Sequence, residues 1–333
     1  MRDQTKAGSG VRTKRRGFFS RIPRLLFVCL LLTLSFVSQG VHAEEIIVVS
    51  SRLNGPHSRA ALELESLLKE SLPNHLKIRQ MSVSDEEPLK VDAGPNDFIL
   101  TIGTKAFADV VVQNTSARLI AMLIPEETYH ALLHANPRRE GKTSAVYIEQ
   151  PVQRDLELIR VALPGRKPGI LLGSESGALE KRLNRVGKEL NFPLYLKKLR
   201  PRENLVTALD QVLKNCDVLV AFADPEVSNP ATARHLLLTS YRFGIPVVAY
   251  SRAYVRAGAL MAVYSSPEQF GQQAAEMLLR VVRNKSELVP APEYPRYFSV
   301  DINQNVARSL GIDLKSRHEI ESRLRSIGRA GDE

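Results

Sequence analysis

The chain has 333 residues, of which 46 are Lys or Arg and 36 are Asp or Glu, so its formal net charge is +10. The positive excess lies mainly at the start, because residues 1–43 contain eight of the basic residues and one acidic residue. Without that segment 38 basic and 35 acidic residues remain, a net charge of +3. Such a balance gives little support to nucleic-acid binding, which depends on clustered positive charge. Trp is absent, which disfavours a sugar site built on stacked tryptophan rings.

Residues 1–43 have the pattern of a secretory signal peptide. A basic segment is followed by the apolar run 25–37, interrupted only by Thr33 and Ser35, and by a small-x-small end at Val41-His42-Ala43. The pattern predicts export, cleavage after Ala43 and a periplasmic mature chain. A membrane anchor is the alternative, but a span needs about 20 apolar residues, more than this run provides. The pair Arg15-Arg16 leaves the export route open between the general secretory and twin-arginine pathways.

Between residues 45 and 148, short apolar segments alternate with helical patterns. Continuous apolar strands without polar alternation are typical of a parallel sheet covered on both faces. The predicted strands are 45–50, 76–80, 97–102, 118–124 and 144–148. Helical spacing of apolar residues predicts helices at 57–72 and 105–113 and a third that begins at 125. The polar segment 82–96 is predicted to be a loop with the edge of a surface helix.

A second series of elements begins at residue 150. The predicted helices are 150–163, 178–190, 205–214 and 229–243, and the predicted strands are 168–172, 194–198, 218–222 and 245–250. Gly244 stands where a helix C-cap glycine belongs and Pro246 prevents the helix from continuing, so 218–250 form one β-α-β unit. Because the mature chain is too long for one ordinary core, the two series predict an α/β protein with two Rossmann-like lobes and parallel sheets.

After residue 264 the pattern is less regular. A helix is predicted at 267–283, followed by a proline-rich connector, a strand at 297–303 and a short helix at 304–310. The charged residues 316–333 are predicted to be a solvated tail or a surface helix. Cys216 is the only cysteine left after cleavage, which excludes an internal disulfide and favours a packed thiol.

Short motifs in a fixed order extend from about residue 144 to 312. They are Gln150-Pro151, Leu156-Glu157-Leu158-Ile159, Leu163-Pro164-Gly165, Gly244-Ile245-Pro246-Val247, Gly258-Ala259-Leu260, Gly271-Gln272-Gln273-Ala274-Ala275-Glu276-Met277-Leu278 and Ala307-Arg308-Ser309-Leu310-Gly311-Ile312. The region 46–143 matches more weakly, mainly at Ile102-Gly103-Thr104. Together the motifs resemble the ABC-transporter substrate-binding proteins of the type I periplasmic binding fold, specifically the family related to aromatic amino acid and peptide uptake.

The resemblance implies two interleaved lobes with a hinged cleft between them. Lobe one would comprise 44–148 and 265–288, and lobe two 149–264 and 289–315. A small-molecule ligand in the cleft and an ABC permease in the inner membrane are the implied partners. Two loops depart from the family pattern: Gly173-Ser174-Glu175-Ser176 replaces an Asn-Pro-Ser type loop, and Ala223-Asp224-Pro225 replaces a Pro-Thr-Asp-Asn type loop. Since these loops supply ligand contacts in the family, the resemblance does not identify the ligand.

Candidate ligand-binding residues lie at the carboxyl ends of predicted strands and at the positions that the resemblance indicates. Backbone N–H groups at Gly103-Thr104 could hold a carboxylate, or Thr104 could cap its helix, and two serines of the 173–177 loop have the same alternatives. Asp224 could receive a ligand ammonium or fix its own turn. Arg252 could hold a carboxylate bidentately or lie on an exposed rim. The full set is Ser50, Ser51, Gly103, Thr104, Ser174, Glu175, Ser176, Asp224, Ser251 and Arg252.

No catalytic arrangement is predicted. The loop 173–177 has Glu175 rather than a serine at its centre, so it does not fit a nucleophile elbow. The sequence contains neither a phosphate-binding glycine loop ending in Lys-Ser/Thr nor a His-Glu-x-x-His motif, and its seven histidines lack metal-ligand spacing. We therefore expect no enzyme activity, no cofactor and no metal site.

The sequence favours an exported, monomeric solute-binding protein of an ABC importer. Its expected ligand is a small molecule, such as an amino acid or a related small anion or zwitterion, and we expect no nucleic-acid partner. The alternative is a periplasmic sensory or assembly subunit on the same scaffold, with a degenerate pocket and a protein partner. An exported enzyme is a third possibility with no motif to support it.

Overall fold

The computed structural model describes residues 45–331 except 73–75, 85–86, 114 and 139. The predicted signal peptide and its cleavage site after Ala43 lie outside the described residues. Within the described part, no helix is both long and apolar enough to cross a membrane.

The first sheet contains five parallel strands in the order β2-β1-β3-β4-β5. Its strands are β1 (Glu45–Ser50), β2 (Lys77–Ser82), β3 (Phe98–Ile102), β4 (Arg118–Ile124) and β5 (Thr143–Tyr147), with the helices α1 (Gly55–Ser71), α2 (Thr104–Val111) and α3 (Glu126–Ala135). Central strands β1, β3 and β4 are buried almost throughout, whereas the edge strand β2 is partly exposed. Burial on both faces explains why the central strands lack a polar alternation.

The second sheet contains six strands in the order β11-β10-β9-β8-β6-β7. Its strands are β6 (Pro168–Leu172), β7 (Tyr195–Lys198), β8 (Val218–Val220), β9 (Val247–Ala249), β10 (Met261–Tyr264) and β11 (Ser299–Ile302). Associated helices are α4 (Val152–Ala162), α5 (Gly177–Glu189), α6 (Leu205–Leu213), α7 (Ala233–Arg242) and α8 (Arg252–Ala257). All neighbouring pairs are parallel except β10 and β11. The α/β prediction of two lobes with parallel sheets is therefore confirmed, with one antiparallel edge strand added.

Two elements near the end of the second sheet escaped prediction. No helix was predicted between residues 251 and 264, but the segment after Ser251 forms α8, and the Ser251 hydroxyl caps this helix by accepting from the N–H of Tyr254. Strand β10 follows directly. Both elements are too short, at six and four residues, for a periodic pattern to reveal them.

The chain crosses between the two lobes three times. After β5 it enters the second lobe, and after β10 it returns through α9 (Pro267–Arg283), which packs against α1. The next segment stays with the first lobe, because the N–H of Val289 donates to Gly141 O at 2.8 Å and that of Glu293 to Ala145 O at 2.9 Å. The third crossing therefore follows residue 293, and the predicted start of the last lobe-two segment at 289 is too early.

Of the two alternatives predicted for the last residues, a solvated tail or a surface helix, the structure has a helix, and one face of it is buried. After α10 (Gln304–Ser309), helix α11 (Arg317–Gly331) packs against α4. Ile320 and Leu324 on one face are buried in the core of the second lobe. A spacing of four residues places these two apolar side chains on the same helix face. Because the other faces of the helix are highly charged, two apolar residues were too few to predict a buried face from the sequence.

Candidate functional site

A cavity of about 710 Å³ lies between the two lobes. Its size is within the range of about 300–1,000 Å³ that is usual for small-molecule sites. Much of the wall is apolar or aromatic: Pro56, Leu123, Ile148, Phe222, Ala223, Tyr250, Ala253, Tyr264, Pro267 and Phe270. Six charged side chains also line it, namely Arg59, Glu149, Asp155, Arg252, Arg256 and Glu268. An apolar cavity with a few charged groups is suited to a small amphipathic molecule.

Ser251 and Arg252 are the two predicted site residues that line this cavity. The guanidinium of Arg252 is already engaged, because its Nε lies 2.9 Å from Asp301 Oδ2. Asp301 also accepts from the hydroxyl of Tyr264 at 3.1 Å and from Arg317 Nη1 at 3.4 Å. Any carboxylate bound by Arg252 would have to compete with Asp301.

Asp224 is directed at its own loops and not at the cavity. Its Oδ2 accepts from the N–H of Gly173 and from the hydroxyl of Ser176, both at 2.7 Å, and its Oδ1 accepts from the N–H groups of Glu226 and Val227 at 2.8 Å. These four bonds leave little capacity for a ligand ammonium and tie the loop after β6 to the loop after β8.

We expect Asp224→Asn to lower the free energy of unfolding by roughly 2 kcal/mol, because an amide NH₂ cannot accept two of these buried bonds. Urea denaturation measures the change. Glu175→Gln, an exposed position on the partner loop, is the matched control and should change stability by less than about 0.5 kcal/mol. Equal stability of Asp224→Asn and the wild type would contradict this role.

The remaining predicted residues also lie outside the cavity. Ser174 donates from both its N–H and its hydroxyl to Glu226 Oε2, at 2.6 and 3.0 Å, and Glu175 is exposed. The hydroxyl of Ser51 accepts from the N–H of Ala106 at 2.8 Å, so a residue from the β1 loop caps α2. The structure thus gives these polar groups local partners. Ser50 donates to Arg52 O at 2.6 Å, Gly103 has a φ of +93° before α2, and Thr104 is exposed.

Asp155 is one of five charged cavity residues that were not predicted from the sequence. It lies in the first turn of α4, is 6% exposed, and its carboxylate has no hydrogen-bond partner among the described residues. Burial raises its pKa to about 7, and the neighbouring positive charge of Arg154 opposes this shift. One feature of the sequence could have revealed it. Asp155 is an acidic residue on the apolar face of a predicted helix, next to Leu156 and one turn from Val152 and Ile159.

A polar cluster joins the lobes at another edge of the cleft. Arg182 Nη2 of lobe two lies 2.6 Å from Glu126 Oε2 of lobe one, which also accepts from the hydroxyl of Tyr294 at 2.6 Å. Glu149, at the first crossing, accepts from the N–H of Glu126 at 3.2 and 3.3 Å. Burial raises the pKa of Glu149.

Hydrogen bonds tie the crossing segments to one another. Gln150 Nε2 donates to the hydroxyl of Ser265 at 2.9 Å, and that hydroxyl donates to Tyr297 O at 2.5 Å. Arg154 Nη1 donates to Gln150 Oε1 at 2.6 Å and to Pro295 O at 2.7 Å. All three connections between the lobes therefore meet beside the cavity.

The family model for ABC transporter substrate binding proteins matches residues 90–321, which is more than half of the chain. The chain belongs to this family. Family members are solute-binding proteins and not a class of enzymes. No curated protein matches the sequence.

Solved structures similar to this family member share its type I periplasmic binding fold. A ligand-free, open substrate-binding protein with adhesive properties from Clostridium difficile has a TM-score of 0.64 at 14% identity, covering 82% of this chain and 96% of its own. An ABC domain from Streptococcus pneumoniae in complex with L-Trp has a TM-score of 0.54 at 17% identity, with coverages of 82% and 96%. A conserved domain protein from Vibrio cholerae has a TM-score of 0.54 at 16% identity, with coverages of 84% and 98%. At these identities the likeness shows the fold alone.

Proposed function

We propose that this substrate-binding protein is exported and captures a small molecule for an ABC importer. The observation that carries the proposal is the cavity of about 710 Å³ whose wall is built from both lobes and from the segments that connect them. The expected ligand is an amino acid or a related small zwitterion or anion. Apolar side chains would cover its body, and the charged groups of the wall would select its polar ends.

Closure of the cleft is the proposed mechanism. A ligand that contacts Phe270 of lobe one and Tyr250 of lobe two gains both sets of contacts only when the lobes are close, so it stabilises the closed state. The three hydrogen-bonded crossing segments would form the hinge. The closed form would then dock on a permease in the inner membrane.

Thermal unfolding of residues 44–333 with a panel of amino acids, organic acids and amines tests this function. A specific ligand at about 100 times its dissociation constant should add about 2.7 kcal/mol to the free energy of unfolding and raise the midpoint. Ala253→Trp, which fills the cavity, should abolish the shift, whereas Ala231→Trp at an exposed position outside it should not. A flat panel, repeated after unfolding and refolding to remove carried-over ligand, would contradict the proposal.

A second candidate is a sensory or assembly subunit with a degenerate pocket. The supporting observation is that the loops expected to contact ligand, 173–176 and 223–225, have their polar groups bonded to one another through Asp224 and Glu226. A flat ligand panel together with a protein captured by the full mature chain, and lost in loop variants, would favour this function.

A further inference from the structure

The charged groups of the cavity wall differ in how well they are paired. Arg59 Nε lies 3.5 Å from Glu268 Oε1, Arg252 is paired with Asp301, and Glu149 accepts a backbone N–H. Two groups remain without a hydrogen bond or an ion pair among the described residues, Asp155 and Arg256. The exposed Arg256 can be solvated by water, but Asp155 is 6% exposed and cannot be solvated to the same extent.

A buried carboxyl group without a partner is uncommon in proteins. An ionised carboxylate accepts several hydrogen bonds, and its transfer from water to an apolar site is costly unless those bonds are replaced. The other buried carboxylates have at least one partner: Asp97, which is 7% exposed, accepts from the N–H of Glu45 at 2.8 Å and from the N–H of Gly94 at 2.7 Å. Glu157, on the same helix as Asp155, is 2% exposed and its Oε1 lies 2.5 Å from Arg160 Nη2, whereas its Oε2 has no partner among the described residues. Asp155 differs in lining the cavity, where a ligand can supply the missing donor.

We propose that Asp155 is the recognition group of the cleft and binds a ligand ammonium, so that the solute is a small molecule with a protonated amine on an apolar body. This proposal rests on the proposed function of the cleft as a solute site. An ammonium group has three donors and no acceptor, which complements an acceptor-only carboxylate. Beside a largely apolar wall this charge-assisted pair is stronger than in bulk solvent.

The same arrangement discriminates against acids. A ligand that carries a carboxylate and no amine would bring a second negative charge toward Asp155, or require Asp155 to be protonated. Arg154 and Arg256 provide positive charge near this part of the wall, whereas Glu149 and Glu268 add negative charge and Tyr250 and Tyr264 are neutral phenols. The proposal requires a protonated amine on the ligand and leaves a carboxylate optional. Comparing each amine with the amino acid of the same apolar body shows whether a carboxylate also contributes to binding.

Matched ligand sets on the unmodified mature protein give the first test. L-Phenylalanine, phenethylamine and 3-phenylpropanoate share one apolar body, as do L-leucine, isopentylamine and 4-methylpentanoate. Calorimetry measures the dissociation constant of each compound. In each set, either the amine or the amino acid should bind at least about a hundredfold more tightly than the acid, because a ratio of this size is typical when a charged group in a site loses its partner. An acid that binds as tightly as its amine-bearing analogues would overturn the proposal.

Asp155→Asn gives the second test, with Asp313→Asn as the matched control at an exposed position outside the cavity. Asp155→Asn should weaken binding of the preferred amine at least about tenfold, and Asp313→Asn should leave it unchanged. Circular dichroism confirms that each variant is folded. Unchanged affinity in folded Asp155→Asn would overturn the proposal.

The pH dependence of affinity gives a third measurement. Protons compete with the ammonium for Asp155, so the wild type should bind an amine about tenfold more weakly at pH 6 than at pH 8, and this slope should disappear in Asp155→Asn. A slope that persists in the variant would assign the titration to another group and overturn the proposal. If no solute binds at all, the proposed function fails and the Asp155 proposal with it, whereas solutes that bind without an amine preference contradict the Asp155 proposal alone.

Discussion

Asp155→Asn is expected to raise the free energy of unfolding of the unliganded protein at pH 8 by about 2–4 kcal/mol. The pKa of Asp155 is raised from 3.8 to about 7. At 1.36 kcal/mol per pKa unit, ionising this buried group costs about 4 kcal/mol in the folded protein. The neutral amide introduced by Asp155→Asn avoids the ionisation but is still a buried polar group, so the substitution recovers only part of this free energy. A substitution that weakens ligand binding would therefore stabilise the empty protein, as expected where a site sacrifices stability for function.

The gain should depend on pH in a defined direction. Because the folded pKa lies above the unfolded one, the stability that the protonated Asp155 contributes is fully present below about pH 4 and is lost as the pH rises through about 7. Wild type and variant should therefore have similar urea midpoints near pH 4 and diverge up to pH 8. Glu157→Gln is the contrasting control, because it removes the ion pair with Arg160 and should destabilise at pH 8. A loss of stability in Asp155→Asn at pH 8 would contradict the assignment of a partnerless carboxylate.

Gly271→Ala is expected to destabilise the protein by about 3 kcal/mol, a typical cost of overpacking a tight contact. Gly271 lies in α9 where this helix crosses α1, and a Cβ atom there would collide with the carbonyl oxygen of Ala60 and lie 3.0 Å from the N of Leu64. Both are backbone atoms, so no side-chain rotation relieves the clash. The two helices would have to separate, which disturbs the core that holds α9 in lobe one.

Gly328→Ala is the matched control for this helix crossing. Gly328 is also helical, in α11, but an added Cβ has no atom within 4 Å. Alanine is the better helix former by about 0.8–1.0 kcal/mol, so this variant should be neutral or slightly more stable. Thermal or urea unfolding of both variants tests the pair. Equal effects of the two substitutions would contradict a close approach at Gly271.

The helices and strands of this chain were largely determined by local patterns in the sequence. Apolar runs such as Ile46–Val49 and Leu219–Ala221 predicted buried parallel strands because a strand covered on both faces cannot carry polar residues. Gly244 and Pro246 marked a real helix end, since α7 finishes at Arg242. The motifs between 144 and 312 also predicted the family to which the chain belongs.

Strand ends alone did not indicate which polar groups face the cleft. Asp224 follows a strand as predicted, but its partners Gly173 and Ser176 are about fifty positions away in the sequence, and only the folded sheet brings the two loops together. Once those groups bond to one another they have little capacity left for a ligand. A strand-end position therefore predicts proximity to a cleft and not the direction of a side chain.

The sequence by itself determined the fold class and the order of the two series of elements, and it predicts export from the pattern at its start. Tertiary structure decided which side chains line the cavity, because that depends on where helices lie relative to crossings between the lobes. Asp155 shows the difference: local periodicity places it on the buried face of α4, but the crossing segments beside it leave an open cavity there in place of a partner. Ile320 and Leu324 likewise become core residues only because α11 packs back on α4. Both outcomes depend on contacts between residues far apart in the chain, which a local pattern does not encode.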